Sequence, residues 1–70
     1  MFQRRLPAPW FVETLAECFC VRTADGQAVA WVYYEDEETR RSSMRRLTRD
    51  EARRVAANIA KLPELVGAKL

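Results

Sequence analysis

An Asp25-Gly26 step lies between two runs in which nearly every side chain is apolar or β-branched, Cys18-Phe19-Cys20-Val21-Arg22-Thr23 and the stretch from Gln27 to Glu35. Such a step between strand-like runs is the strongest short-range signal for a β-hairpin. Both faces of this hairpin are apolar, whereas a small antiparallel sheet ordinarily keeps one side wet. Two apolar faces demand two covering layers. The chain has 70 residues, and domains of that size bury only about 60% of the surface their unfolded form exposes. One domain is expected, with little core to cover the hairpin.

Turn geometry sets which side chains share a face. A three-residue loop, Ala24-Asp25-Gly26, with Gly26 in the left-handed conformation, places Phe19 and Val21 with Val29, Trp31 and Tyr33. Cys18, Cys20, Ala28, Ala30, Val32 and Tyr34 then share the opposite face. A two-residue loop would shift the register by one and pair Cys20 with Trp31. The first arrangement is expected because it separates large side chains from small ones.

The surest element is a helix opening at Thr48-Arg49-Asp50-Glu51, a capping box in which the Thr48 hydroxyl and the Glu51 carboxylate each satisfy the other's backbone amide. Successive residues 100° apart bring Ala52, Val55, Ala56, Ile59, Ala60 and Leu62 onto one arc. That stripe is mostly alanine, so the small face of the hairpin is its expected partner. Pro63 is expected to end the helix near Leu62, with one further turn and a frayed end after it. Upstream, Pro7 and Pro9 predict an extended segment over residues 1–9, and Trp10 to Thr14 is a plausible short first strand. The link from Asp36 to Leu47 is long for a compact domain and is expected to hold a short helical turn around Ser42 to Arg46. The expected architecture is thus α+β: a two- or three-stranded antiparallel β-meander followed by one C-terminal α-helix packed on one sheet face, the domain spanning 10–65 and 66–70 fraying.

Apolar types make up 49% of the chain and charged types 31%, a mixture that folds. No histidine is present, and glycines and cysteines number two each. Histidine-based acid–base chemistry, most metal sites and glycine-rich phosphate loops are thereby excluded. Ser42, Ser43 and Thr48 have no histidine to activate them, so the chain is not expected to be an enzyme or to need a cofactor or a metal. Cys18 and Cys20 are expected as buried structural thiols. The N-terminus lacks the apolar stretch of a signal peptide and no run approaches membrane-spanning length, which predicts a cytoplasmic protein.

Pro9-Trp10, Cys18-Phe19 leading into Val21-Arg22, Gly26-Gln27, Ala30-Trp31-Val32-Tyr33-Tyr34-Glu35, and Leu47-Thr48-Arg49-Asp50-Glu51-Ala52-Arg53-Arg54 running on to Lys61-Leu62-Pro63-Glu64-Leu65 together resemble a family of small bacterial single-domain proteins of unknown function. The resemblance covers about Pro9 to Leu65, and its most specific part is the Leu-Thr-Arg-Asp-Glu-Ala-Arg-Arg to Lys-Leu-Pro stretch. It implies a domain found alone, and no catalytic residue or cofactor comes with it.

Two surfaces are candidates for function. Phe19, Val21, Val29, Trp31 and Tyr33 form a large-residue face that would be a liability if left open on a monomer. Burial of that face against a second copy predicts a homodimer, and a non-enzymatic interaction module is the favoured function. Alternatively, Phe19, Trp31 and Tyr33 stack the bases of a nucleic acid while Arg40, Arg41, Arg45, Arg46, Arg49 and Arg53 contact phosphates, giving weak, salt-dependent binding. Net charge is only +2, and Glu35, Asp36, Glu37 and Glu38 stand ready to pair with the same arginines, so solvated ion pairs are the simpler expectation.

Overall fold

The computed structural model describes residues 6–65. Three antiparallel strands, β1 (Phe11–Thr14), β2 (Cys18–Arg22) and β3 (Ala28–Tyr33), form a meander in the order β1-β2-β3. Three helices follow, α1 (Glu38–Met44), α2 (Arg49–Ile59) and α3 (Leu62–Leu65), and α2 packs across the sheet. The fold is α+β.

The hairpin turn has the form its residues demand. Thr23 N–H donates to the Gln27 carbonyl at 2.9 Å and Gly26 N–H donates to the Thr23 carbonyl at 2.9 Å, so the loop is Ala24-Asp25-Gly26. Gly26 sits at φ 90°, a region that costs a side-chain-bearing residue dearly. Buried Thr23 braces the turn: its hydroxyl donates to the Asp25 carboxylate and accepts from Gln27 N–H at 3.1 Å.

The faces nevertheless differ from those a regular ladder would give. Arg22 pairs with Ala28, but Val21 pairs with Ala30, which leaves Val29 as an extra residue in β3. This β-bulge shifts everything beyond it by one position, so Cys20 lies opposite Trp31 and Cys18 opposite Tyr33. Phe19 and Val21 therefore share a face with Val32 and Ala30. Trp31 and Tyr33 lie on the other side, with the cysteines. The expected grouping of Phe19, Val21, Val29, Trp31 and Tyr33 is corrected accordingly: the turn is a three-residue loop, and the pairing is the one a two-residue loop would have produced.

Volume explains the choice. Ala52 and Ala56 of α2 are fully buried and join Trp10, Phe19, Val21 and Val32 in the core, with Leu6, Val12, Ala30, Tyr34, Ile59 and Ala60 packed around them. A stripe of alanine needs large partners to fill the layer to interior density. The cysteine face, expected as the partner of α2, would set small against small and leave a void. Adding Trp31 and Tyr33 to Phe19 and Val21 would overfill the same space. The bulge meets both limits by seating Ala30 and Val32 beside the larger pair. Trp10 completes the layer, its indole N–H donating to the Leu6 carbonyl at 3.2 Å, while Ala24 N–H donates to the Pro7 carbonyl at 3.0 Å.

The helices are capped as their sequences allow. At α2 both halves of the capping box form, Glu51 N–H to Thr48 Oγ1 at 3.1 Å and Thr48 N–H to Glu51 Oε1 at 2.9 Å. The Thr48 contacts hold the Glu51 carboxyl below its ordinary pKa. Its stabilising contribution is present above the unfolded carboxylate range and is lost as pH falls through the lowered folded value. Thr48→Ala should cost ~1 kcal/mol in chemical denaturation and should shrink the acid-side loss of stability belonging to Glu51. An unchanged midpoint would show the cap to be idle. The helix stops at Ile59, earlier than Leu62, and Pro63 is buried within the short α3. The link holds a full helix, α1, where a turn over Ser42 to Arg46 was expected. Glu37 caps it, accepting from Thr39 N–H at 3.2 Å and Arg40 N–H at 2.7 Å, and Arg45 closes it at φ 56°. The expected fraying of 66–70 lies outside the described residues, as do residues 1–5.

Candidate interaction surface

The face of the sheet turned away from α2 is covered by no other element among the described residues. Its side chains follow from alternation along each strand: Phe11 and Glu13 from β1, Cys18, Cys20 and Arg22 from β2, Trp31 and Tyr33 from β3. Trp31 is 55% exposed, Tyr33 48% and Phe11 46%, values that make these three rings the apolar relief of the molecule's open side. Between them the middle strand is a floor of small side chains, with Cys18 and Cys20 buried and unbridged.

Polar groups on this face are paired within it. Arg22 Nε donates to Glu13 Oε1 at 2.8 Å, and Arg22 Nη1 donates to the Gly26 carbonyl at 3.1 Å. The hydrogen bond it donates to Glu13 holds the Arg22 guanidinium further into its charged form. Arg46 lies over the Tyr33 ring, 5.1 Å from its centroid, at the far corner. Burial, followed by the proximity of Cys20 and Glu17, pushes the Cys18 thiol upward. No cluster of three or more metal-ligating side chains occurs among the described residues. No described helix is long and apolar enough to cross a membrane.

Of the sequence-derived interface residues, the structure brings Trp31 and Tyr33 together on the open face. Phe19 and Val21 are under α2, and Val29, at the bulge, packs against the core. Phe11, Glu13 and Arg22 belong to the open face and were not singled out from the sequence. The alternation Phe11-Val12-Glu13 carries that signal, but only once β1 is known to be a strand.

The arginines do not converge on one groove. Arg40 pairs with Glu35 at 3.5 Å and Glu37 at 3.6 Å, and Arg53 and Arg54 share Asp50, each at 2.9 Å. Arg41 donates to the Glu35 and Asp36 carbonyls at 3.2 and 3.1 Å. Arg49 caps the core from outside, 5.4 Å from the Phe19 centroid and 5.8 Å from that of Tyr34. Among the described residues of the basic run, Arg45 and Arg46 have neither a carboxylate partner nor a place on the core rings; Arg45 closes α1, and Arg46 lies at the Tyr33 corner.

No family model, curated protein or solved structure matches the chain, so geometry alone carries the functional argument.

Proposed function

We propose that this protein is a non-enzymatic interaction module that self-associates by packing the open face of its sheet against the same face of a second copy. The observation that carries this reading is the set of half-exposed rings, Phe11, Trp31 and Tyr33, on a face where Arg22 and Glu13 pair with each other. Three rings of ~150–250 Å² each, half exposed, amount to about 300 Å² of apolar surface, the lower end of the largest patch a typical monomer carries, which is often functional. Glu13 and Arg22 neutralise one another, which leaves Arg46, at the Tyr33 corner, as the charge on this face without a carboxylate partner among the described residues.

Association through the face rather than the strand edges has its own support. β1 is short, follows Pro9 and carries Glu13; β3 is interrupted by the bulge at Val29 and is bridged at its end by Leu47 opposite Tyr34. Edges blunted in these ways pair poorly. The open face of a three-stranded sheet is smaller than the ~800 Å² per partner of a standard interface, which places the dimer in the weak, concentration-dependent class.

A second reading, single-stranded nucleic acid stacked on Trp31 and Tyr33, draws on the position of Arg46 above Tyr33. It has less support, because the arginines do not converge on one groove: Arg40 and Arg53 pair with carboxylates, Arg41 is held by carbonyls and Arg49 lies over the Phe19 and Tyr34 rings. Sedimentation at micromolar concentrations should reveal a species of twice the chain mass, and Trp31→Glu should convert it to a folded monomer. A monomer at every concentration, with Trp31 freely quenched, overturns the dimer; oligonucleotide binding that weakens steeply with salt would favour the second reading.

A further inference from the structure

We infer that Ser43 is a phosphorylation site for an arginine-directed protein kinase. The chain contains only two serines, Ser42 and Ser43, and both lie inside the run Arg40-Arg41-Ser42-Ser43-Met44-Arg45-Arg46. A kinase cleft that is acidic where it holds the residues two and three positions before the acceptor selects Ser43, which has Arg40 and Arg41 at those positions. Recognition of guanidinium groups by carboxylates is bidentate and strong for its size.

The structure supplies the second requirement, that the acceptor can leave its fold. Ser42 and Ser43 are both exposed, and α1 contributes no buried residue. A helix of seven residues with no buried side chain, held by its caps and by the contacts of Arg40 and Arg41, opens at little cost, because isolated helices of this length are marginal in water. Ser43 Oγ donates to the Arg40 carbonyl at 3.2 Å, and local opening releases it. Arg41 is held through carbonyls of the adjoining link, and Arg40, itself exposed, pairs with half-buried Glu35 at 3.5 Å and exposed Glu37 at 3.6 Å, long contacts that a kinase cleft can replace.

In the transfer, the bridging bond between the β-phosphorus side and the γ-phosphoryl group of a nucleoside triphosphate breaks and a new P–O bond forms at Ser43 Oγ. The hydroxyl proton passes to the kinase's base, and the nucleoside diphosphate departs. The product places a group of about −1.5 to −2 charge near the C-terminal end of α1, between the arginine pairs. There it opposes the helix dipole and competes with Glu35 and Glu37 for Arg40. This inference stands independently of self-association.

Folded protein incubated with an arginine-directed Ser/Thr kinase and MgATP should gain one phosphoryl group per chain by mass spectrometry. Ser43→Ala should reduce incorporation to background, Ser42→Ala should retain it, and replacing Arg40 and Arg41 together by alanine should slow it by about tenfold or more. Failure of the folded chain to be modified, incorporation only after denaturation, or phosphate on Ser42 or a threonine would each overturn the assignment.

Discussion

Phe19→Ala is expected to unfold the domain. The ring is 2% exposed, lies 5.3 Å from the Tyr34 ring in a tilted contact, and fills the space beneath Ala52 and Ala56. Truncating a buried phenylalanine costs ~3–5 kcal/mol, and a single core in a domain of this size rarely supplies more than ~3–5 kcal/mol in total. Circular dichroism at ordinary temperature should therefore show loss of the α2 signal and no cooperative transition. Trp31→Ala is the matched comparison: a still larger ring is removed from the open face, so the fold should remain while association is lost. A folded Phe19→Ala protein with a midpoint close to the wild type would mean that the helix does not rest on this face.

Ala56→Leu should be nearly as damaging, for the opposite reason. Ala56 is completely buried where α2 meets the sheet, and the alanine stripe sets how closely the two layers approach. Extra methylenes there force the helix away from Phe19 and Val21, at a cost of ~1–3 kcal/mol or somewhat more. Leucine is almost as good a helix former as alanine, so the loss reports packing and not propensity. Thermal denaturation is the measurement. A stabilised variant would reveal unfilled volume between α2 and the sheet.

These two substitutions mark the division between what a residue pattern announces and what it conceals. The capping box at Thr48 and Glu51 involves partners three residues apart, and its geometry follows from local chemistry. The Ala24-Asp25-Gly26 loop is equally local, since only Gly26 tolerates φ 90° without cost. Helix α1 was only partly legible, because its cap is Glu37, a residue type that gives no strong N-terminal signal. The partition of the basic run was only partly legible: Arg53 and Arg54 meet Asp50 within one turn of the same helix, a local pairing, whereas whether Arg49 meets the Phe19 ring depends on where α2 lands, and charge order along the chain does not say.

The hairpin shows the same division within a single motif. Its residues determine that there are two strands, that both faces are apolar, that a three-residue loop joins them and that a capped, alanine-striped helix follows. They do not determine the extra residue at Val29, because a bulge is favoured by what lies above the sheet and not by the strand carrying it. Only when α2 presses its alanines onto one face does volume decide that Phe19 and Val21 belong beneath it with Ala30 and Val32, and that Trp31 and Tyr33 must turn outward. One inserted residue thus moves the large rings from the core to the surface, and with them the face on which the proposed function rests.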